Sequence, residues 1–114
     1  MNTTMNMSNN NRYNMSSIFR MAWQFIKRNG YTLSEALKCA WANAKLKRAM
    51  KGGIVRFTFR KISGEVREAW GTLKESLLPP TTNNRPYNAT LQTYYDTEKA
   101  DWRCYKVANL LSVG

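Results

Sequence analysis

Apolar positions along the chain follow two rhythms, with a change near residue 53. Ile18, Ala22 and Ile26 recur at every fourth position, and Phe19 and Trp23 form a second row beside them. That spacing predicts a helix over 17–29. Asn29-Gly30 supplies its stop, and Lys27 and Arg28 fall in the last turn, where the helix dipole favours cations. A second, longer helix is predicted over 33–50. Thr32 and Glu35 form a T-x-x-E capping box ahead of it, each side chain serving the other residue's backbone N–H. Leu33, Leu37, Ala40, Trp41 and Ala44 make its apolar stripe, and Gly52-Gly53 ends it.

The rhythm then becomes two. From Ile54 to Arg60, Val55, Phe57 and Phe59 alternate with Arg56, Thr58 and Arg60, the pattern of a half-buried strand with a cationic outer row. Ser63-Gly64 marks a hairpin, and Glu65 to Leu73 returns as a second strand. Its inner face is open, because Val66 and Trp70 share parity with Glu68; a bulge would resolve the conflict. Leu77 to Asn88 is a loop with three prolines, which lack the donor a central strand needs. Thr90 to Tyr95 and Trp102 to Val107 are strands around a polar turn at Asp96 to Asp101, and Asn109 to Val113 is a short apolar end piece.

The order implies an α+β fold: two N-terminal helices followed by a small antiparallel β-barrel of four or five strands. The chain divides into a polar arm over 1–16, a helical arm over 17–52 and a barrel over 53–114. The arm is rich in Asn, Met and Ser and has no apolar period, so it reads as flexible. Trp23, Trp41, Trp70 and Trp102 are expected to form a tryptophan core, and Cys39 and Cys104 to be buried, inert thiols in a reducing cytoplasm.

Charge adds a partner to this picture. The 114 residues carry a formal net charge of +11 and contain no histidine. Residues 1–53 hold nine Lys/Arg and one acid, Glu35, whereas 54–114 hold nine and six, so the field is concentrated in the front half. Such an excess attracts polyanions, nucleic acid foremost, since each neutralised phosphate releases a counterion. An acidic protein surface is the alternative. No stretch approaches the roughly 20 apolar residues that span a bilayer, so no membrane partner is expected.

Without histidine, Ser/His/Asp and Cys/His sites and most zinc sites are unavailable. Glycine-rich phosphate loops are absent. The acids at Asp96, Glu98 and Asp101 lack the spacing of a calcium loop. An enzyme, a metal and a cofactor are therefore not expected.

The segment IVRFTFRKISGEVREAWGTL, followed by YYDTEKADWRCYKVANLL, resembles the short SH3-like β-barrel proteins of phages and mobile elements of Bacteroidetes-type bacteria. GYTLSEALKCAWANAKLKRAMKGG looks like the helix that precedes their barrel. The chain is more distantly similar to WYL domains, SH3-like barrels of bacterial regulators that bind nucleic acid or nucleotides. Their last strand, roughly Arg-x-Phe-Arg-Leu-Asp-Arg-Ile, aligns with 103–110. Arg103 and Lys106 fit and Tyr105 replaces the aromatic, but Ala108 and Asn109 replace the Asp and second Arg. That resemblance implies a nucleotide pocket around Arg103, Tyr105 and Tyr94.

Two cationic groups emerge as candidate phosphate contacts. Lys38, Lys45, Lys47, Arg48 and Lys51 lie on the second helix, where few acids offset them; Lys38 and Lys45 share one face, and Lys47 and Lys51 flank the apolar stripe on the other side. Arg56, Arg60 and Lys61 continue along the first strand, with Arg103 and Lys106 on the fourth extending the surface. If all converge, they form one continuous cationic strip. A helix-turn-helix is disfavoured, since the second helix offers only Asn43 as an amide for base edges.

Overall fold

The computed structural model describes residues 13–80 and 87–114. Two helices, α1 (Met15–Asn29) and α2 (Leu33–Gly52), precede five antiparallel strands: β1 (Ile54–Arg60), β2 (Val66–Thr72), β3 (Leu91–Asp96), β4 (Asp101–Lys106) and β5 (Leu110–Val113). One sheet holds all five in the order β4-β3-β2-β1-β5. A 3-10 turn at Val107–Asn109 carries the chain from β4 to β5.

Local chemistry sets the helix limits. Asn14 caps α1, its side chain accepting from the Ser17 N–H at 3.1 Å, so the helix starts two residues inside the segment read as an arm. Residues 1–12 of that arm lie outside the described residues. Gly30 terminates α1 in the left-handed region at φ 70°, which a side chain would resist. The Thr32–Glu35 capping box is formed in both directions, at 2.9 and 3.2 Å.

The sheet is curled, and its own distances prove it. Neighbouring strands are about 4.8 Å apart, so β1 and β4, three places apart in the order, would be about 14 Å apart in a flat sheet. Instead Phe57 and Phe59 of β1 meet Tyr105 of β4 at ring distances of 5.3 and 5.5 Å. Tyr94 of β3 joins them, 5.1 Å from Phe57. These four rings, buried as the β1 alternation implies, fill the barrel. Along α2, Ala36, Ala40, Asn43, Leu46 and Met50 are buried, and α2 closes over the barrel.

The structure departs from the sequence pattern in its strands, tryptophans and cysteines. The β1–β2 register runs unbroken from Ile54↔Thr72 to Arg60↔Val66, without a bulge; the register shift lies between β1 and β5, at Thr58/Phe59. The inner face of β2 is Arg67, Ala69 and Gly71: the rings of Phe57 and Tyr94 leave no room for a side chain at Gly71, and Arg67 reaches the buried Asp96 at the end of the barrel. Val66 therefore points outward and is exposed. No tryptophan core exists: Trp23 is 59% exposed and Trp41, Trp70 and Trp102 are only partly buried, since phenylalanine and tyrosine already occupy the interior. Cys39 is half-buried and Cys104 exposed, the latter on the outer face of edge strand β4.

Candidate nucleic-acid interface

Asn43 joins the helix to the barrel. Its amide donates to the carbonyls of Cys39 (2.9 Å) and Val107 (2.8 Å), and its Oδ1 accepts from the Tyr105 hydroxyl at 2.7 Å. Both amide N–H groups and one lone pair of the oxygen are engaged inside the protein, and the side chain is buried, so it is not available to read a base. Burial raises the Tyr105 hydroxyl pKa well above the ordinary tyrosine value and keeps it a donor. Tyr31 adds a second tie from the turn before α2, its hydroxyl donating to the Ala108 carbonyl. The Cys39 thiol, desolvated beside Val107, is pushed up to about 11 despite its contact with Asn43.

With α2 fixed in this way, its cations separate by helical angle. Lys38 and Lys45 flank a shallow groove with Leu37, Trp41 and Val113. Lys47, Arg48 and Lys51 turn the other way, into a cleft of about 420 Å³ between α1, α2 and the start of β3. Ile18, Met21, Ala44 and Leu91 give that cleft an apolar floor, and Arg20 of α1 adds a fourth cation. No acid lines it. Among the described residues no carboxylate lies within ion-pair distance of Lys47, Arg48, Lys51 or Arg20. Arg48 instead lies over the Tyr13 ring, 4.8 Å from its centroid, and Tyr13 rests edge-on against Trp41.

The strand cations have a different fate. Arg56 is ion-paired with Glu68 on β2 and also donates to the Gly114 carbonyl at 3.3 Å. Lys61 pairs with Glu65 at 3.4 Å across the hairpin, and Arg60 donates to the Gly64 carbonyl at 2.9 Å. The expected strip is thus divided: antiparallel pairing brings the acids of the β2 side opposite two of the three cations on the β1 side. Lys106 is exposed beside Leu91 in the β3–β4 register, and Arg103 is exposed across from Tyr94.

Across the sheet from exposed Arg103, a polar group lies at one end of the barrel interior. Arg67 Nη2 lies 3.7 Å from Asp96 Oδ2, and Asp96 is buried, its other oxygen accepting from the N–H groups of Glu98 and Lys99 at 3.0 Å. The Tyr94 hydroxyl is buried there without a partner among the described residues; burial first, and then the Asp96 charge, push it up to about 12. The pocket implied around Arg103, Tyr105 and Tyr94 is accordingly filled by the protein's own rings, because Tyr94 and Tyr105 are core. Sequence reading missed Arg67 and Asp96 for want of the β2 register. It passed over Arg20, whose place on the cleft depends on how α1 packs.

Among the described residues no group of three or more Cys, Asp or Glu could hold a metal ion, and no helix is long and apolar enough to cross a membrane. No curated protein and no solved structure matches the chain. A family model does: WYL_2, described as an Sm-like SH3 beta-barrel fold, matches residues 43–111. The match opens at Asn43, the residue that fastens α2 to the barrel, and ends inside β5. Covering more than half of the sequence, and agreeing with the curled five-stranded sheet, it makes the chain a member of the WYL_2 family.

Proposed function

We propose that the protein is a nucleic-acid-binding module without catalytic activity, which holds phosphates at the cleft between α1 and α2. One observation carries this reading: Arg20, Lys47, Arg48 and Lys51 converge on a single concave surface whose lining, among the described residues, contains no acid. Four free cations around one cleft repel one another and are relieved by a polyanion, which also gains counterion-release entropy. Lys38 and Lys45 extend the field along the far side of α2; Arg56 and Lys61, already paired, contribute less. The same reading puts the protein in the cytoplasm, while a phage or mobile-element origin rests on the sequence resemblance alone.

Titration of labelled DNA and RNA at several salt concentrations tests the proposal. A binding constant that falls steeply with salt, and a shallower slope in Lys47→Gln/Arg48→Gln/Lys51→Gln, are expected. Absent or salt-independent binding refutes it.

The groove at Leu37, Trp41 and Val113 favours a second reading, because an apolar trough edged by Lys38 and Lys45 suits an acidic protein segment. A partner retained from nuclease-treated lysate, and lost on Lys38→Glu/Lys45→Glu, would support it over the first.

A further inference from the structure

We infer that the outer face of α1 is a base-stacking platform for an unpaired nucleic-acid strand. This rests on the nucleic-acid reading above and adds the kind of strand and a second contact surface. Phe19 and Trp23 are 54% and 59% exposed, although α1 buries Ile18, Ala22 and Phe25 on its other side. The two rings stand one helical turn apart, about 6 Å along the axis. The core does not need them; it is complete with Phe25, Phe57, Phe59, Tyr94 and Tyr105.

The surroundings of the two rings select the occupant. Arg20 lies three residues before Trp23 and Lys27 four after it, both within a turn of the ring, with Lys27 Nζ 5.9 Å from its centroid. The helix contains no acid. With Lys27 over Trp23 and no acid on the helix, the setting selects an anionic occupant that also carries flat apolar faces. It suits a single strand well: bases lie on the rings while phosphates meet the neighbouring cations, and any base has a face to stack. A duplex keeps its base faces covered and cannot use the rings. Arg20 also lines the phosphate cleft, so the two surfaces share a residue. The platform lies before residue 43, outside the family match.

The test compares the full chain binding a 20-nucleotide dT strand and a 20-base-pair duplex at one salt concentration. The expected result is tighter binding of the single strand, quenching of tryptophan fluorescence that disappears in Trp23→Leu, and a loss of about tenfold or more on dT in Phe19→Ala/Trp23→Ala. Duplex binding by that double variant should be unchanged, and Trp23→Phe should restore most of the dT affinity. Because both side chains are exposed, far-UV circular dichroism should be that of the parent protein. Equal binding of strand and duplex, insensitive to both substitutions, overturns the platform and leaves the phosphate cleft standing. No binding of either nucleic acid overturns the cleft reading and the platform with it. Binding to phosphatidylserine vesicles that needs Phe19 and Trp23, with dT binding that does not, assigns the face to an anionic membrane surface and also overturns the platform.

Discussion

Gly71 has no room for a methyl group. A Cβ there would sit 2.6 Å from Tyr94 Cδ2 and 3.1 Å from Phe57 Cε1, inside the ring cluster that fills the barrel. Gly71→Ala should therefore destabilise the fold by about 1–3 kcal/mol, read as a lower urea midpoint with unchanged m-value. Asn43→Leu keeps the branching at Cγ but strands the Tyr105 hydroxyl and the Val107 carbonyl in a buried site. It should cost about 2–3 kcal/mol by the same measurement. The cysteines should separate by reactivity: at pH 8 an aromatic disulfide reagent should titrate exposed Cys104 promptly and Cys39 only on unfolding. Burial raises the folded-state Cys39 pKa from its ordinary 9.0 to about 11. Its contribution to stability is thus complete below pH 9 and is lost as pH rises through about 11, so denaturation midpoints should fall across that window. The roles of Gly71 and Asn43 were not legible in the sequence: a strand glycine and a helical asparagine look like weak positions until the ring and carbonyl beside each are known.

At the scale of elements, both helices were legible because caps and periodicity are local. Asn29-Gly30 and the Thr32–Glu35 box act through neighbours a few residues away. Thr32→Ala should cost about 1 kcal/mol of stability, measured by thermal unfolding. The β1 alternation put Phe57 and Phe59 inside for the same local reason. β2 resisted, because its inner face is made small by rings arriving from β1 and β3, and Trp70 on its outer face imitates a core residue. The α2 cations show the same boundary. A rotation of about 100° per residue separates Lys38 and Lys45 from Lys47 and Lys51, but the floor beneath Lys47 comes from α1 and β3. Neutralising Lys47, Arg48 and Lys51 together should lower the salt slope of DNA binding by up to about 2.7, which is about 0.9 for each phosphate no longer neutralised. The change for Arg56→Gln should be smaller, since Glu68 already engages that guanidinium.

At the scale of the whole molecule, the net charge of +11 acts on stability and binding in opposite senses. Folding concentrates like charges, so added salt should raise the melting temperature of the free protein through screening. Between about 50 and 200 mM, the same salt should weaken nucleic-acid binding by orders of magnitude if the cleft engages six or more phosphates with the help of the wider field. A melting temperature flat with salt would show that the cations are already compensated within the fold. The amino-acid sequence by itself determined the helix limits, the switch to strands, the α+β order and the sign of the field, because caps, periodicity and charge depend on near neighbours or on composition alone. Tertiary structure decided which cations meet. Strand pairing set Glu68 beside Arg56, the docking of α2 through Asn43 turned Lys47, Arg48 and Lys51 toward Arg20, and closure of the sheet filled the interior with tyrosines while leaving Phe19 and Trp23 outside. Such meetings depend on residues distant along the chain, and no local pattern encodes them.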